Sequence, residues 1–202
     1  AAVSAFGGVA RMTATAHRTG TDRVAEVASA LSCDVLVNVQ GDEPLIEPGM
    51  IEQVVSPFST RGELQMATLR RAITDPADHA NPAVVKVVSD LSGHALYFSR
   101  APLPARFGSG ASAGSSTAAY RHVGLYAYRR EFPLRLAALP QTPLAQAESL
   151  EPLRSLEHGH PILTLETEFD SLGVDTPEDL ERVRQRLHPD ASEYAGAGSG
   201  GA

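Results

Sequence analysis

The stretch VLVNVQGDEP, Val35 to Pro44, decides how this chain is read. Val35 to Val39 is a short valine-rich apolar run, the pattern of a buried strand. Gln40-Gly41-Asp42-Glu43-Pro44 ends it, which places Asp42 just beyond the strand's carboxyl end. Open α/β sheets bind their ligands at that edge. Gly41 lets backbone approach a ligand closely, and Pro44 stiffens the exit. Taken alone, Gly41-Asp42-Glu43-Pro44 also reads as a polar turn with an Asx contact.

Working outward, Asp22 to Leu31 carries apolar residues at helical spacing, with Thr19-Gly20-Thr21 supplying an N-terminal cap. Ala1 to Phe6 reads as the end of a helix closed by Gly7-Gly8, and Gly8 to Met12 as a strand. Downstream, a helix is expected over Pro48 to Pro57 and a strand over Gln65 to Ile73. Val84–Val88 and Ala95–Ser99, joined by Ser89-Asp90-Leu91-Ser92-Gly93, give a hairpin signal. Phe107 to Ala119 is rich in Gly, Ser and Ala and reads as a mobile loop. Tyr120 to Tyr128 reads as a strand, Pro143 to His158 as one long helix, Pro161 to Glu168 as a strand, and Asp175 to Leu187 as containing the last helix. Strands alternating with helices at both ends favour an α/β fold with a mostly parallel sheet and a small antiparallel excursion over about 82–130. One domain over 1–190 and a flexible tail over 191–202 follow.

The 202 residues carry a net charge of −7, which argues against a nucleic-acid-coating surface. Cys33 is the only cysteine, so no internal disulfide is possible. No apolar run is long enough to span a bilayer and nothing resembles a signal peptide; a cytoplasmic protein is expected. Lys86 is the only lysine among plentiful arginines.

A second aspartate stands in Gly173-Val174-Asp175-Thr176-Pro177-Glu178-Asp179. Its neighbours explain a helix start: Thr176 caps, Pro177 suits the first helical position, and Asp179 lies three residues after the cap. That leaves the Asp175 carboxylate unemployed. Two carboxylates together with phosphate oxygens and water suit Mg2+, a hard cation that prefers oxygen.

Six segments in order resemble the CMP-Kdo synthetase (3-deoxy-manno-octulosonate cytidylyltransferase) family. They are His17–Arg23 (HRTGTDR), Val37–Pro44 (VNVQGDEP), Asn81–Val88 (NPAVVKVV), Ala95–Arg100 (ALYFSR), Tyr120–Tyr128 (YRHVGLYAY) and Gly173–Asp179 (GVDTPED). The resemblance implies a Rossmann-like nucleotidyltransferase fold, a homodimer, and transfer of CMP from CTP to a 3-deoxy-2-ulosonic acid with release of pyrophosphate. It implies Asp42 and Asp175 as the catalytic metal aspartates, and Arg23 and Gln40 on the nucleotide side. On the sugar side it implies Arg100, His122, Tyr126, Glu148 and Glu151. His122 and Tyr126 share a strand face by alternation. Arg100 offers the planar fork of donors that suits a carboxylate. No general base need be invoked.

Two departures from the family pattern stand out. The family's opening strand and its Arg- and Lys-containing triphosphate loop have no counterpart here, and Lys86 matches a different position. The 202 residues by themselves are therefore expected to have little activity, and an inactive remnant is the rival reading. Pro152 stands where the family commonly has glutamine. Inside a long helix it would cost roughly 3 kcal/mol or more, so either the helix is remodelled or the sugar pocket differs. Another 2-keto-3-deoxy sugar acid is the alternative acceptor.

Overall fold

The computed structural model describes residues 2–17, 19–105, 118–174 and 176–187. A short helix α1 (Ala2–Ala5) leads through an extended segment to α2 (Gly20–Ser29). Thr19 caps α2 from an extended backbone, its hydroxyl accepting from the Asp22 amide at 3.2 Å. Asp22 adds a negative charge to the positive end of the helix dipole. Ala25 and Ala28 form the buried stripe of α2. Strand β1 (Val35–Val39) keeps the expected bounds. Helix α3 (Pro48–Val55) starts on its proline and tightens into a 3-10 turn over Ser56–Ser59, burying Met50, Val54 and Phe58.

Strand β2 (Met66–Ala72), helix α4 (Pro76–Ala80), the hairpin β3 (Lys86–Ser89) and β4 (Ala95–Ser99), and the long strand β5 (Tyr120–Arg129) follow. The remaining elements are α5 (Glu131–Ala138), α6 (Pro143–Glu148), α7 (Glu151–Glu157), β6 (Leu163–Glu166) and α8 (Pro177–Leu187).

The α/β class holds, but the sheet is mixed rather than mostly parallel. Six strands are joined in the order β4-β3-β5-β2-β6, with β1 also on β5. Among the described residues only β2 and β6 pair in parallel; β5 runs antiparallel to β1, β2 and β3. The strands β1, β2, β3 and β6 thus share a direction, and β5 lies among them reversed. The hairpin curls back onto β6. The Ala95 amide donates to the Ile162 carbonyl and the Thr164 amide to the Gly93 carbonyl, both at 2.8 Å.

Strand alternation gives β5 two apolar faces. Val123, Leu125 and Ala127 pack with Met50, Val54 and Leu69 on one side. Tyr126 and Tyr128 pack with Phe98, Phe132 and Ile162 on the other. Phe98 and Phe132 are fully buried, each worth about 1.5–3 kcal/mol of burial. Between Thr68 and Leu69 the β2/β5 register shifts. The Thr68 hydroxyl serves that irregularity, donating to the Leu125 carbonyl at 2.8 Å.

Several expectations need correction. Gly8–Met12 is not a strand: Val9 and Met12 are 94% and 92% exposed, with no ladder partner among the described residues. The long helix expected over 143–158 is two helices. Ser149 adopts a left-handed conformation (φ 54°) and Leu150 an extended one, so α6 stops and α7 restarts. Pro152 therefore occupies the first turn of α7, where the missing amide hydrogen costs nothing. Helices α4 and α5 were not anticipated. Most of the Phe107–Ala119 loop and the whole 191–202 tail lie outside the described residues. No helix among the described residues is long and apolar enough to cross a membrane.

Candidate active site

A cleft of about 590 Å³ opens at the carboxyl end of β1, and Gln40, Asp42, Arg100, His122, Tyr126 and Glu151 all line it. Sequence reading thus brought six of its candidates to one place. Arg23 and Glu148 are not among the lining residues. Asp175 lies outside the described residues.

At the β1 end, neighbouring carboxylates have different fates. Asp42 is exposed and makes no side-chain hydrogen bond or ion pair among the described residues. Glu43 is bound at both oxygens: Oε1 accepts from the Gly124 amide at 2.9 Å and Oε2 from the Ser171 hydroxyl. Glycine at 124 leaves room for this contact. A Cβ there would stand 3.1 Å from Glu43 Cγ and Oε1 and 3.3 Å from Gln40 Cγ. The Gly124 carbonyl in turn accepts from the Gln40 amide at 3.2 Å. The Val174 amide donates to the Asp42 carbonyl at 2.8 Å, docking the segment before residue 175 on the Asp42 turn. Thr176 and Asp179 form the expected reciprocal cap of α8: the Asp179 amide donates to Thr176 Oγ1 at 3.2 Å and the Thr176 amide to Asp179 Oδ2 at 3.0 Å.

Sequence reading missed the arginine cluster beside this turn. Asp170 Oδ1 lies 3.1 Å from Arg121 Nη2 and 3.6 Å from Arg71 Nε, while Oδ2 lies 2.9 Å from Arg186 Nη2. Burial pushes the Asp170 carboxyl up, but the Arg186 hydrogen bond and the surrounding guanidiniums outweigh it and hold it below its usual value. Arg121 also donates to the Ser171 carbonyl at 2.6 Å. Ser171 is fully buried and is gripped at its hydroxyl by Glu43 and at its carbonyl by Arg121. The pairs are 128 and 50 residues apart, so no local pattern announces them.

The opposite end is built around the hairpin. Glu148, expected against the sugar, is turned inward: it accepts from the Ser99 hydroxyl at 2.7 Å and the Arg100 amide at 2.9 Å. Burial raises this carboxyl, but the Arg100 amide and Ser99 hydroxyl bonds outweigh it, so its pKa lies below the usual range. The Arg100 guanidinium donates through Nε to the Glu148 carbonyl at 3.0 Å and through Nη1 to the Pro82 carbonyl at 3.1 Å. Its Nη2 has no partner among the described residues, and it makes no ion pair there.

Glu151 accepts from the Thr21 hydroxyl at 2.6 Å, tying the start of α7 to the start of α2. Arg23 is spent on the segment before α2, donating to Thr13 Oγ1 at 2.7 Å and to the Ala14 carbonyl at 3.2 Å.

On the cleft floor, Thr68 Oγ1 and His122 Nε2 are 3.0 Å apart. With the Thr68 hydrogen directed at Leu125, Nε2 must be the donor, which fixes the tautomer. Burial, reinforced by the neighbouring Arg121, lowers the His122 pKa to about 3. The imidazole is therefore neutral at physiological pH. Its ring packs 5.2 Å from that of Tyr126 and edge-on to Phe98 at 5.3 Å. Burial pushes the Tyr126 hydroxyl well above its ordinary pKa, and nearby Tyr128 adds to this. Both tyrosines present neutral hydroxyls.

Among the described residues no three metal-binding side chains gather. The donor chemistry at Asp42 nevertheless fits a hard divalent ion: a carboxylate not committed to the protein, at the mouth of a cleft whose other local carboxylates, Glu43 and Asp170, are both engaged.

Comparison with known proteins gives the relationship. The model of a family described as cytidylyltransferase matches residues 1–166. The chain is 51% identical to the 3-deoxy-manno-octulosonate cytidylyltransferase of Geotalea uraniireducens, over 93% of this chain and 77% of the relative. It is 52% identical to that of Pelobacter propionicus, over 92% of this chain and 75% of the relative. Among solved structures it superposes with a TM-score of 0.83 on CMP:2-keto-3-deoxy-manno-octonic acid synthetase complexed with CTP, at 41% identity over 94% of this chain and 76% of that one. The chain belongs to the 3-deoxy-manno-octulosonate cytidylyltransferase family.

Proposed function

We propose, from that membership, that the protein transfers CMP from CTP to 3-deoxy-D-manno-octulosonate and releases pyrophosphate. The observation that carries this reading is one cleft with Asp42 at one end, a carboxylate uncommitted among the described residues, and Arg100 at the other, an arginine without an ion pair among them. One end suits a metal-bound triphosphate and the other a sugar acid. In the reaction an acceptor hydroxyl forms a bond to the α-phosphorus of CTP as the bond to pyrophosphate breaks, and the hydroxyl proton passes to solvent.

Asp42 and Asp175 would hold Mg2+, which neutralises triphosphate charge and aligns the displacement when bound. Docking of Val174 on the Asp42 carbonyl supports this pairing. Gln40, on the same turn, faces the nucleotide. Arg23 acts there through the Thr13–His17 segment that it braces. Arg100 pairs its free Nη2 with the acceptor carboxylate, and neutral His122 and Tyr126 orient acceptor hydroxyls. Glu148 and Glu151 act by holding Arg100 and Thr21 in place. We further propose a homodimer, working in the cytoplasm, that activates the sugar for lipopolysaccharide assembly. A reaction that consumes CTP and the precedent of the family support this setting.

The test is an assay of the protein from its complete reading frame with CTP, the sugar acid and Mg2+. The expected products are the CMP-sugar and pyrophosphate. Turnover with another nucleoside triphosphate in preference to CTP, or none with any sugar acid, overturns the reading.

A further inference from the structure

Lys86, the only lysine of the chain, is fully buried in β3. Its Nζ donates to three backbone carbonyls: Asn81 at 2.8 Å, Val84 at 2.6 Å and Arg100 at 2.7 Å. A neutral amine has two hydrogens, so three donated bonds require the ammonium form. The same burial that hides it, together with the charge of Arg100, pulls its pKa down, while Glu148 opposes this. A buried ammonium with carbonyl partners but no ion pair is costly unless something offsets it.

Neither Lys86 nor Arg100 makes an ion pair among the described residues. The one carboxylate between them, Glu148, is already taken up by Ser99 and the Arg100 amide. Counted by themselves, Lys86, Arg100 and Glu148 are two cations against one carboxylate and carry one positive charge in surplus. The carbonyls that hold the ammonium belong to Asn81, Val84 and Arg100, all of which line the cleft.

We propose that Lys86 is the positioning residue of the acceptor end: its ammonium clamps the Asn81–Val84 turn to the Arg100 backbone and keeps beneath the wall a surplus positive charge that the acceptor's carboxylate neutralises. This rests on the sugar-acid reading above. It explains why a residue that never reaches solvent is a lysine and not a leucine: an apolar side chain would take its donor from the Val84 and Arg100 carbonyls, leave the Asn81 carbonyl only the Val84 amide, and leave the wall without its charge.

The test is steady-state kinetics of the complete protein and its Lys86→Met variant. Loss of a charge acting through an effective dielectric of about 20 raises KM for the sugar acid about 10-fold. KM for CTP stays within about twofold. The same pair is inhibited with the acceptor analogue whose carboxylate is reduced to an alcohol. The unaltered protein discriminates against this analogue, and the variant discriminates markedly less. Lys86→Gln, which keeps two donors without the charge, gives the same loss of discrimination and serves if the methionine variant does not fold.

An unchanged KM for the acid, an equal rise in both KM values, or undiminished discrimination in the glutamine variant overturns the proposal. Absence of CMP-sugar formation by the unaltered protein would instead overturn the underlying functional reading.

Discussion

At the β1 end of the cleft, Glu43 is held at both oxygens while Asp42 beside it stands exposed and uncommitted. At the β4 end, Glu148 is held by Ser99 and the Arg100 amide while Lys86 and Arg100 have no ion pair among the described residues. Each end spends one carboxylate on protein donors to fix its geometry, and each keeps a charge in reserve. The reserved charges have opposite sign. On the proposed function, such a cleft separates two tasks, cation binding and anion binding, by bracing each with a group that does neither. Its specificity would then depend as much on the braces as on the groups that meet the substrates.

Breaking the reserved charge should cost activity, and breaking a brace should cost stability. The largest effect is expected for Asp42→Asn, which lowers kcat about 100-fold or more with an unchanged urea midpoint, because Asp42 supports nothing else among the described residues. Near-normal Mg2+-dependent turnover would remove it from the site. Gly124→Ala should show the opposite profile at the same turn. Its Cβ must displace Glu43 or Gln40, for a loss of about 1–3 kcal/mol in urea unfolding, and a stability equal to that of the unaltered protein would show that the Glu43 brace is dispensable.

A smaller effect separates the two ends further. Pro152→Ala should cost about 0.4–1 kcal/mol, since proline at a helix start restricts the unfolded chain. A proline inside a continuous helix would instead have been relieved by roughly 3 kcal/mol, so a gain in melting stability would restore the single long helix. A further effect is on pH. His122 has a folded pKa of about 3, well below its ordinary 6.5. The unfolded chain therefore binds the extra proton between these values and the folded one does not. The stability owed to neutral His122 is complete above about pH 6.5 and is lost as pH falls towards 3. Urea midpoints measured across that window should fall less steeply in His122→Gln; identical slopes would place the imidazole in a less buried setting.

Sequence reading recovered what local pattern controls. β1 and β4 were bounded correctly because β-branched and aromatic runs end in turn residues on both sides. The α8 start was legible because its cap is a four-residue device. Asp42 stood out because a glycine and a proline frame it at a strand end. The missed features depend on contacts between distant segments. Ser149 takes a left-handed backbone without the glycine that normally signals one, so the break before Pro152 was concealed, although the proline itself already argued against a continuous helix. The Ser171 grip spans 128 residues. The fate of Lys86 could not be read because three backbone carbonyls, a feature of every residue, take its three hydrogens. Gly8–Met12 failed for the converse reason: a strand-like pattern makes no strand without a neighbour to complete its ladder.

The lack of room at Gly124 reaches into how such a chain can drift. Every single-residue change there adds at least a Cβ, and that atom meets Glu43 and Gln40, which are anchored to the Asp42 turn. Positions 40, 43 and 124 are therefore packed as one unit, and a side chain at 124 is accommodated as Glu43 or Gln40 gives way by a few tenths of an ångström. The turn that carries Asp42 thus leans on a residue with no side chain.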